Sequence, residues 1–189
     1  LAGAPVQQVR YCATGSAVDT KFNVVTVDTG GAAPTPTPRL GTTTSSCGWC
    51  GTDEIEAVAE RLTPVVGWVS FSPEALAAAP ELVRAGQELF DATGGVHAAA
   101  AFDETGAVRV VREDIGRHNA VDKVVGRLLL DGALPAPHLA LFVSGRVSFE
   151  IVQKAWAAGF SAVVAVSAPS SLAIDAATRA GITLAGFAR

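Results

Sequence analysis

Methionine is absent from the 189 residues, so no initiator residue opens the chain, and it reads as processed or as part of a longer protein. Only three cysteines occur, Cys12, Cys47 and Cys50. So odd and small a number excludes the disulfide framework of a secreted mini-domain. It points instead to a reducing, cytoplasmic setting with a reactive or metal-binding pair. No apolar run reaches the ~18–20 residues of a membrane span, and residues 1–10 carry neither the charged nor the apolar stretch of a secretory signal. Basic residues are outnumbered: 14 Lys and Arg stand against 18 Asp and Glu, a formal charge of −4. Neither bulk nucleic acid nor a membrane surface is then an expected partner. With 49% apolar and 17% charged residues and a mean hydropathy of +0.36, wholesale disorder is excluded and a sizeable core is expected.

Several fingerprints are missing as well. Neither GxxxxGK(S/T) nor GxGxxG occurs, which argues against an ATPase and against an ordinary dinucleotide fold. The Cys47–Cys50 pair has zinc-finger spacing, but a second such pair is lacking and His97, His118 and His138 are scattered. A structural zinc wants four ligands, so no tightly held metal is expected. The nucleobase-deaminase pattern is broken too. Ala99 stands where the proton-shuttling Glu after His97 would be, and no Pro-Cys pair follows. His97 therefore reads as a core histidine.

What is present begins with a β-branched strand over residues 22–27. Residues 29–46 are Gly, Pro, Thr and Ser with almost nothing bulky, the composition of a mobile loop. This loop delivers the chain to Cys47-Gly48-Trp49-Cys50-Gly51. Asp53 with Glu56 three residues on signals a helix start, with Val58 and Leu62 on one face. Two helical stretches are expected over 73–79 and 80–90, stopped by Gly94-Gly95. Strands over 96–102 and 107–112 flank a turn at 103–106. The second half then alternates: helix 119–130, strand 138–144, helix 148–158, strand 161–167, helix 170–180, strand 182–186. Short strand–helix–strand steps imply parallel strands with right-handed crossovers. The expected fold is a three-layer α/β/α sandwich on a mixed sheet, with residues 1–46 an N-terminal remnant plus flexible loop and 47–189 the main domain.

Three segments carry candidate chemistry. A thiolate near a helix N-terminus on a mobile loop has a lowered pKa and can meet two partners in turn; two thiols three apart allow a persulfide on one and its resolution by the other. Glu113-Asp114-Ile115-Gly116-Arg117-His118-Asn119 sits where a strand meets a helix. It reads either as solvated cap residues or as the polar floor of a cleft. Ser144-Gly145-Arg146-Val147-Ser148 and Ser167-Ala168-Pro169-Ser170-Ser171 occupy equivalent strand-to-helix corners. Free N–H groups, hydroxyls and one Arg there suit a phosphate-bearing ligand.

Taken together, the segments 45–51 (SSCGWCG), 93–97 (TGGVH), 113–123 (EDIGRHNAVDK), 144–154 (SGRVSFEIVQK) and 166–172 (VSAPSSL) resemble the formate dehydrogenase accessory sulfurtransferase (FdhD/NarQ) family, from about residue 23 to 189. The resemblance implies a cytidine-deaminase-like fold and a cytoplasmic homodimer. It implies a sulfur carrier that takes sulfur from a cysteine desulfurase and passes it to the bis(molybdopterin guanine dinucleotide) molybdenum cofactor used by formate dehydrogenase. Cys47 matches the persulfide-forming cysteine and Cys50 its partner. Ser144, Gly145, Arg146 and Ser167 become candidates for cofactor binding, and Phe187-Ala188-Arg189 matches the start of a C-terminal cofactor-binding stretch. The family's N-terminal strands before residue 23 look largely absent. A thiol–disulfide oxidoreductase and a non-catalytic guanine-nucleotide-binding chaperone are the alternatives.

Overall fold

The computed structural model describes residues 5–12, 15–33, 62–67 and 69–189. Cys47, Cys50, residues 34–46 of the loop before them and the helix expected after Asp53, through residue 61, lie outside these. The chain divides into two compact units, Leu1–Thr42 and Thr43–Arg189.

In the first unit β1 (Gln8–Tyr11) pairs antiparallel with β2 (Val25–Asp28), Gln8 opposite Asp28 and Tyr11 opposite Val25. A strand thus precedes residue 23 after all. The expected start of β2 at residue 22 moves to Val25 because Lys21 and Phe22 adopt positive φ (50° and 57°) and close a turn, with Phe22 N–H donating to Ala17 O at 2.8 Å. Phe22 meets Tyr11 edge-on, ring centres 5.3 Å apart.

The second unit is built on a five-stranded sheet in the order β4-β3-β5-β6-β7. Its strands are β3 (His97–Asp103), β4 (Val108–Asp114), β5 (Leu139–Val143), β6 (Ala162–Ala165) and β7 (Thr183–Ala185). β3 runs antiparallel to both β4 and β5, whereas β5, β6 and β7 are mutually parallel, so the sheet is mixed. The β3–β4 turn is held by Asp103, which accepts from the Thr105 hydroxyl (2.6 Å), from the Thr105 and Ala107 N–H groups (3.0 Å each) and from Arg109 (2.6 Å). These bonds to its charged form, Thr105 first, hold the Asp103 carboxyl down at about 2.

Alternation along β3 sorts the core into two clusters. Ala99 and Ala101 face one with Val121, Val124, Ile151 and Trp156; Ala100 and Phe102 face the other with Leu76, Ala79, Val83 and Phe142. The first cluster lies under α3 (Arg117–Leu130), α4 (Phe149–Ala158) and α5 (Ser171–Ala180), the second under α1 (Pro73–Arg84). Helices on both faces make the expected three layers. The runs LALFV in β5 and AVVA in β6 are buried throughout, as central parallel strands covered on both sides must be.

The two helices expected over 73–90 are divided elsewhere. α1 runs through Pro80 to Arg84, and α2 (Glu88–Thr93) follows a break at Ala85-Gly86. Pro80 removes one hydrogen bond but leaves the helix able to continue. The break belongs to Gly86, where a Cβ would stand 2.8 Å from Val111 Cγ2 of β4. Ser72 caps α1, its hydroxyl accepting from Ala75 N–H at 3.1 Å.

Candidate functional site

Parallel β5 and β6 end at the same edge of the sheet, and antiparallel β3 brings its first residue, His97, to that edge. The two serine-bearing corners therefore lie side by side. Val147 N–H donates to Ala168 O (3.2 Å) and Ser170 N–H to Val147 O (3.0 Å), a bridge that stitches one corner to the other. Ser144, Gly145 and Ser167 are brought together here, and Arg146 projects exposed. The chain end passes the same place: Phe187 N–H donates to Ser167 O (3.4 Å) and Ala188 N–H to Ala165 O (3.0 Å). Ala188 is buried in the second cluster, while Phe187, in a left-handed conformation (φ 57°), is 62% exposed.

Ser144 is not simply a free hydroxyl. Its Oγ accepts from Ala98 N–H at 2.9 Å and lies 3.3 Å from His97 Nδ1. With one bond accepted from the backbone, the hydroxyl can either donate to Nδ1 or accept a second bond from it, according to the ring's tautomer. Gly145 is buried, and a Cβ there would lie 3.2–3.3 Å from the His97 ring and from Arg117 Cδ. The close approach of three segments leaves little room for a side chain at this corner.

A cavity of about 530 Å³ opens beside this corner. His97 and Ser144 supply its polar side; Phe90, Phe142, Ile115 and Val166 supply apolar walls; Arg84 stands among them as the cation. Its size and mixed lining suit a ring-bearing ligand with a few polar groups rather than a lone ion. Gly94 and Gly95 also border it, so the Thr93–His97 segment is one cavity edge. His97, read as a core histidine, is in fact half-buried on the cavity wall. Arg84 and Phe90 carried no sequence signal. The only hint was the Gly pair ahead of His97.

The EDIGRHN segment is put to other uses than a polar floor, and only Ile115 of it lines the cavity. Asp114 accepts from Gly116 N–H (2.9 Å), Asn119 Nδ2 (3.1 Å) and Lys123 (2.7 Å), and these partners, Lys123 first, lower its pKa. Glu113 accepts from the backbone N–H groups of Leu89 (2.7 Å) and Phe90 (2.8 Å) at the start of α2. His118 Nε2 lies 3.0 Å from the Ser148 hydroxyl and 4.0 Å from Glu150. Ser148 is the N-cap residue of α4 but gives that helix no side-chain cap.

Among the described residues no three His, Cys, Asp or Glu gather as metal ligands, and no helix is long and apolar enough to cross a membrane. The Cys47–Cys50 pair lies outside the described residues, as does any geometry it has with the cavity.

An α/β protein with a ligand-sized cavity where its parallel strands end is the class that fold and site define. Sequence comparison narrows it: the chain belongs to the FdhD/NarQ family, whose model matches residues 4–189. The match reaches well upstream of residue 23 and takes in the β1–β2 hairpin. Sulfur carrier protein FdhD of Streptomyces avermitilis is 49% identical over 195 residues, covering 97% of this chain and 68% of its own length. The protein of the same name from Nocardia farcinica is 48% identical over 192 residues, covering 100% of this chain and 68% of its own. Among solved structures, a proposed formate dehydrogenase accessory protein from Desulfotalea psychrophila superposes with a TM-score of 0.62 at 29% identity, over 71% of this chain and 56% of that one. The chain thus spans little more than half the length of that structure.

Proposed function

We propose that this chain is the greater part of a sulfur carrier for formate dehydrogenase maturation. The observation that carries the reading is the family match across residues 4–189, which takes in both the cysteine pair and the cavity, with relatives named sulfur carriers at nearly half identity. In this reading the Cys47 thiolate attacks the outer sulfur of a cysteine desulfurase persulfide. The desulfurase thiolate leaves and Cys47 holds the persulfide. Cys50 then attacks the Cys47 sulfur, and the outer sulfur departs as hydrosulfide toward the molybdenum cofactor. The departing sulfur takes with it the two electrons that the two thiols give up in forming the Cys47–Cys50 disulfide, and a cellular dithiol reductant supplies two electrons to return that disulfide to dithiol. The bis(molybdopterin guanine dinucleotide) cofactor is substrate here. Its guanine dinucleotide part fits the cavity beside the Ser144-Gly145 and Ser167 corners, with Arg146 and the 187–189 segment alongside. Arg146 would offer a fork-shaped contact to phosphate that Lys cannot copy. A cytoplasmic homodimer completes the proposal.

Intact-mass measurement after incubation with a cysteine desulfurase and cysteine tests it. The wild-type protein should gain the mass of one sulfur, removable by a thiol reductant, and Cys47→Ala should gain none. Cys50→Ala should load sulfur but mature formate dehydrogenase poorly. Sulfur loading on Cys47→Ala equal to wild type would refute the mechanism. Rapid insulin reduction without sulfur loading would point to a thiol–disulfide oxidoreductase instead.

A further inference from the structure

The cavity wall formed by α2 has a weak hold on the rest of the molecule. α2 has six residues, buries none of them, and its N-cap residue Gln87 makes no side-chain capping bond. A helix this short does not stand by itself, and no apolar face glues it down. Two ties run through Arg84: its ion pair with Asp91, both side chains about half exposed, and its guanidinium over the Phe90 ring, 5.6 Å from the ring centre; exposed contacts of both kinds hold loosely. The third comes from the sheet. Glu113 lies opposite Ala98 in the β3–β4 register. Alternation from Ala100, which faces the α1 core, puts Ala98 and Glu113 on that same face. From there its two carboxylate oxygens take the N–H groups of Leu89 and Phe90. These are donors that a helix start leaves without an intrahelical partner, and the carboxylate also meets the positive end of the helix. The strand end is itself anchored. Glu113 O accepts from Lys123 Nζ at 2.9 Å, and the same ammonium pairs with Asp114 at 2.7 Å, tying β4 to α3.

We propose that Glu113 is a positioning residue of the ligand site: by capping α2 from the sheet it sets the place of Phe90 and of the Gly94-Gly95 edge against His97. It does not line the cavity; it acts through α2. The inference rests on the proposal that the cavity receives the guanine dinucleotide part of the cofactor.

The test pairs amide hydrogen exchange with calorimetric binding of GDP on the complete protein, for wild type, Glu113→Ala and Glu113→Gln. In Glu113→Ala the Leu89 and Phe90 amides should exchange at least about tenfold faster. The β3, β5 and β6 amides should keep their protection, and GDP affinity should fall several-fold. Glu113→Gln retains one acceptor oxygen and should lie between the other two in both readouts. Unchanged protection of α2 in Glu113→Ala would overturn the inference. So would release of α2 with GDP affinity intact, or loss of protection shared by the whole sheet in both variants. Failure of the wild-type protein to bind GDP would instead count against the cofactor reading, and the exchange data would then decide by themselves whether Glu113 fastens α2.

Discussion

His118 shows how a single side chain can make stability depend on pH. It is half-buried between α3 and the start of α4, and desolvation first, then Arg117, hold its pKa below the ordinary histidine value. Lys154 pushes the same way, while Glu150 and Asp122 oppose. The folded chain therefore resists a proton that the unfolded chain accepts, and stability falls as pH drops below about 6.5, the unfolded value. Denaturant titrations of His118→Gln should show a flatter slope between about pH 5 and 7 than wild type. An identical slope would place the sensitive group elsewhere. His97 teaches the complementary lesson. Its sequence neighbours, Val96 and Ala98, are those of a core residue, and it became a cavity residue only because antiparallel pairing set it beside Ser144.

Among the elements, the α1–α2 corner is where local signals and packing disagree. Pro80 reads as a helix boundary, yet α1 passes through it and stops where Gly86 approaches Val111. Nothing in the local sequence marks Gly86 as a contact with β4, a strand that begins 22 residues later. Gly86→Ala would put a methyl 2.8 Å from Val111 Cγ2. Overpacking of this kind costs about 1–3 kcal/mol, so thermal unfolding of the variant should occur at a lower temperature. Gly86→Ala combined with Val111→Ala should recover part of the loss, because the smaller neighbour makes room. By contrast α3, α4 and α5 lie within two residues of their expected bounds, since each carries an unbroken apolar stripe. Gly159 and Gly181 end α4 and α5 in left-handed conformations, as glycine caps do.

For the whole molecule, the proposed homodimer makes the firmest demand. Ile115 (82% exposed), Leu130 (64%) and Phe187 (62%) leave large apolar side chains on the surface of the second unit. Light scattering of the complete protein should give twice the chain mass across the micromolar range; a monomer mass throughout would reject the dimer. How much of the architecture could be read in advance follows from the range of the forces involved. Periodicity and glycine caps are local, and they marked all five strands of the main sheet and its three helices α3, α4 and α5. The short linkers of the second half forced β5, β6 and β7 to run parallel. The motif series from 45–51 to 166–172 pointed to the family. Ser144, singled out at its corner, does line the cavity, but the walls around it were not legible, because they are a property of strand order. Only the order β4-β3-β5-β6-β7 brings His97 against Ser144, and only the β3–β4 register turns Glu113 toward α2. Residues 46 and 47 positions apart in the chain become hydrogen-bond neighbours there, and no window of local sequence encodes such a meeting. Composition and spacing chose the elements, the side chains that must leave water chose their faces, and pairing across the sheet decided which polar groups share one cavity.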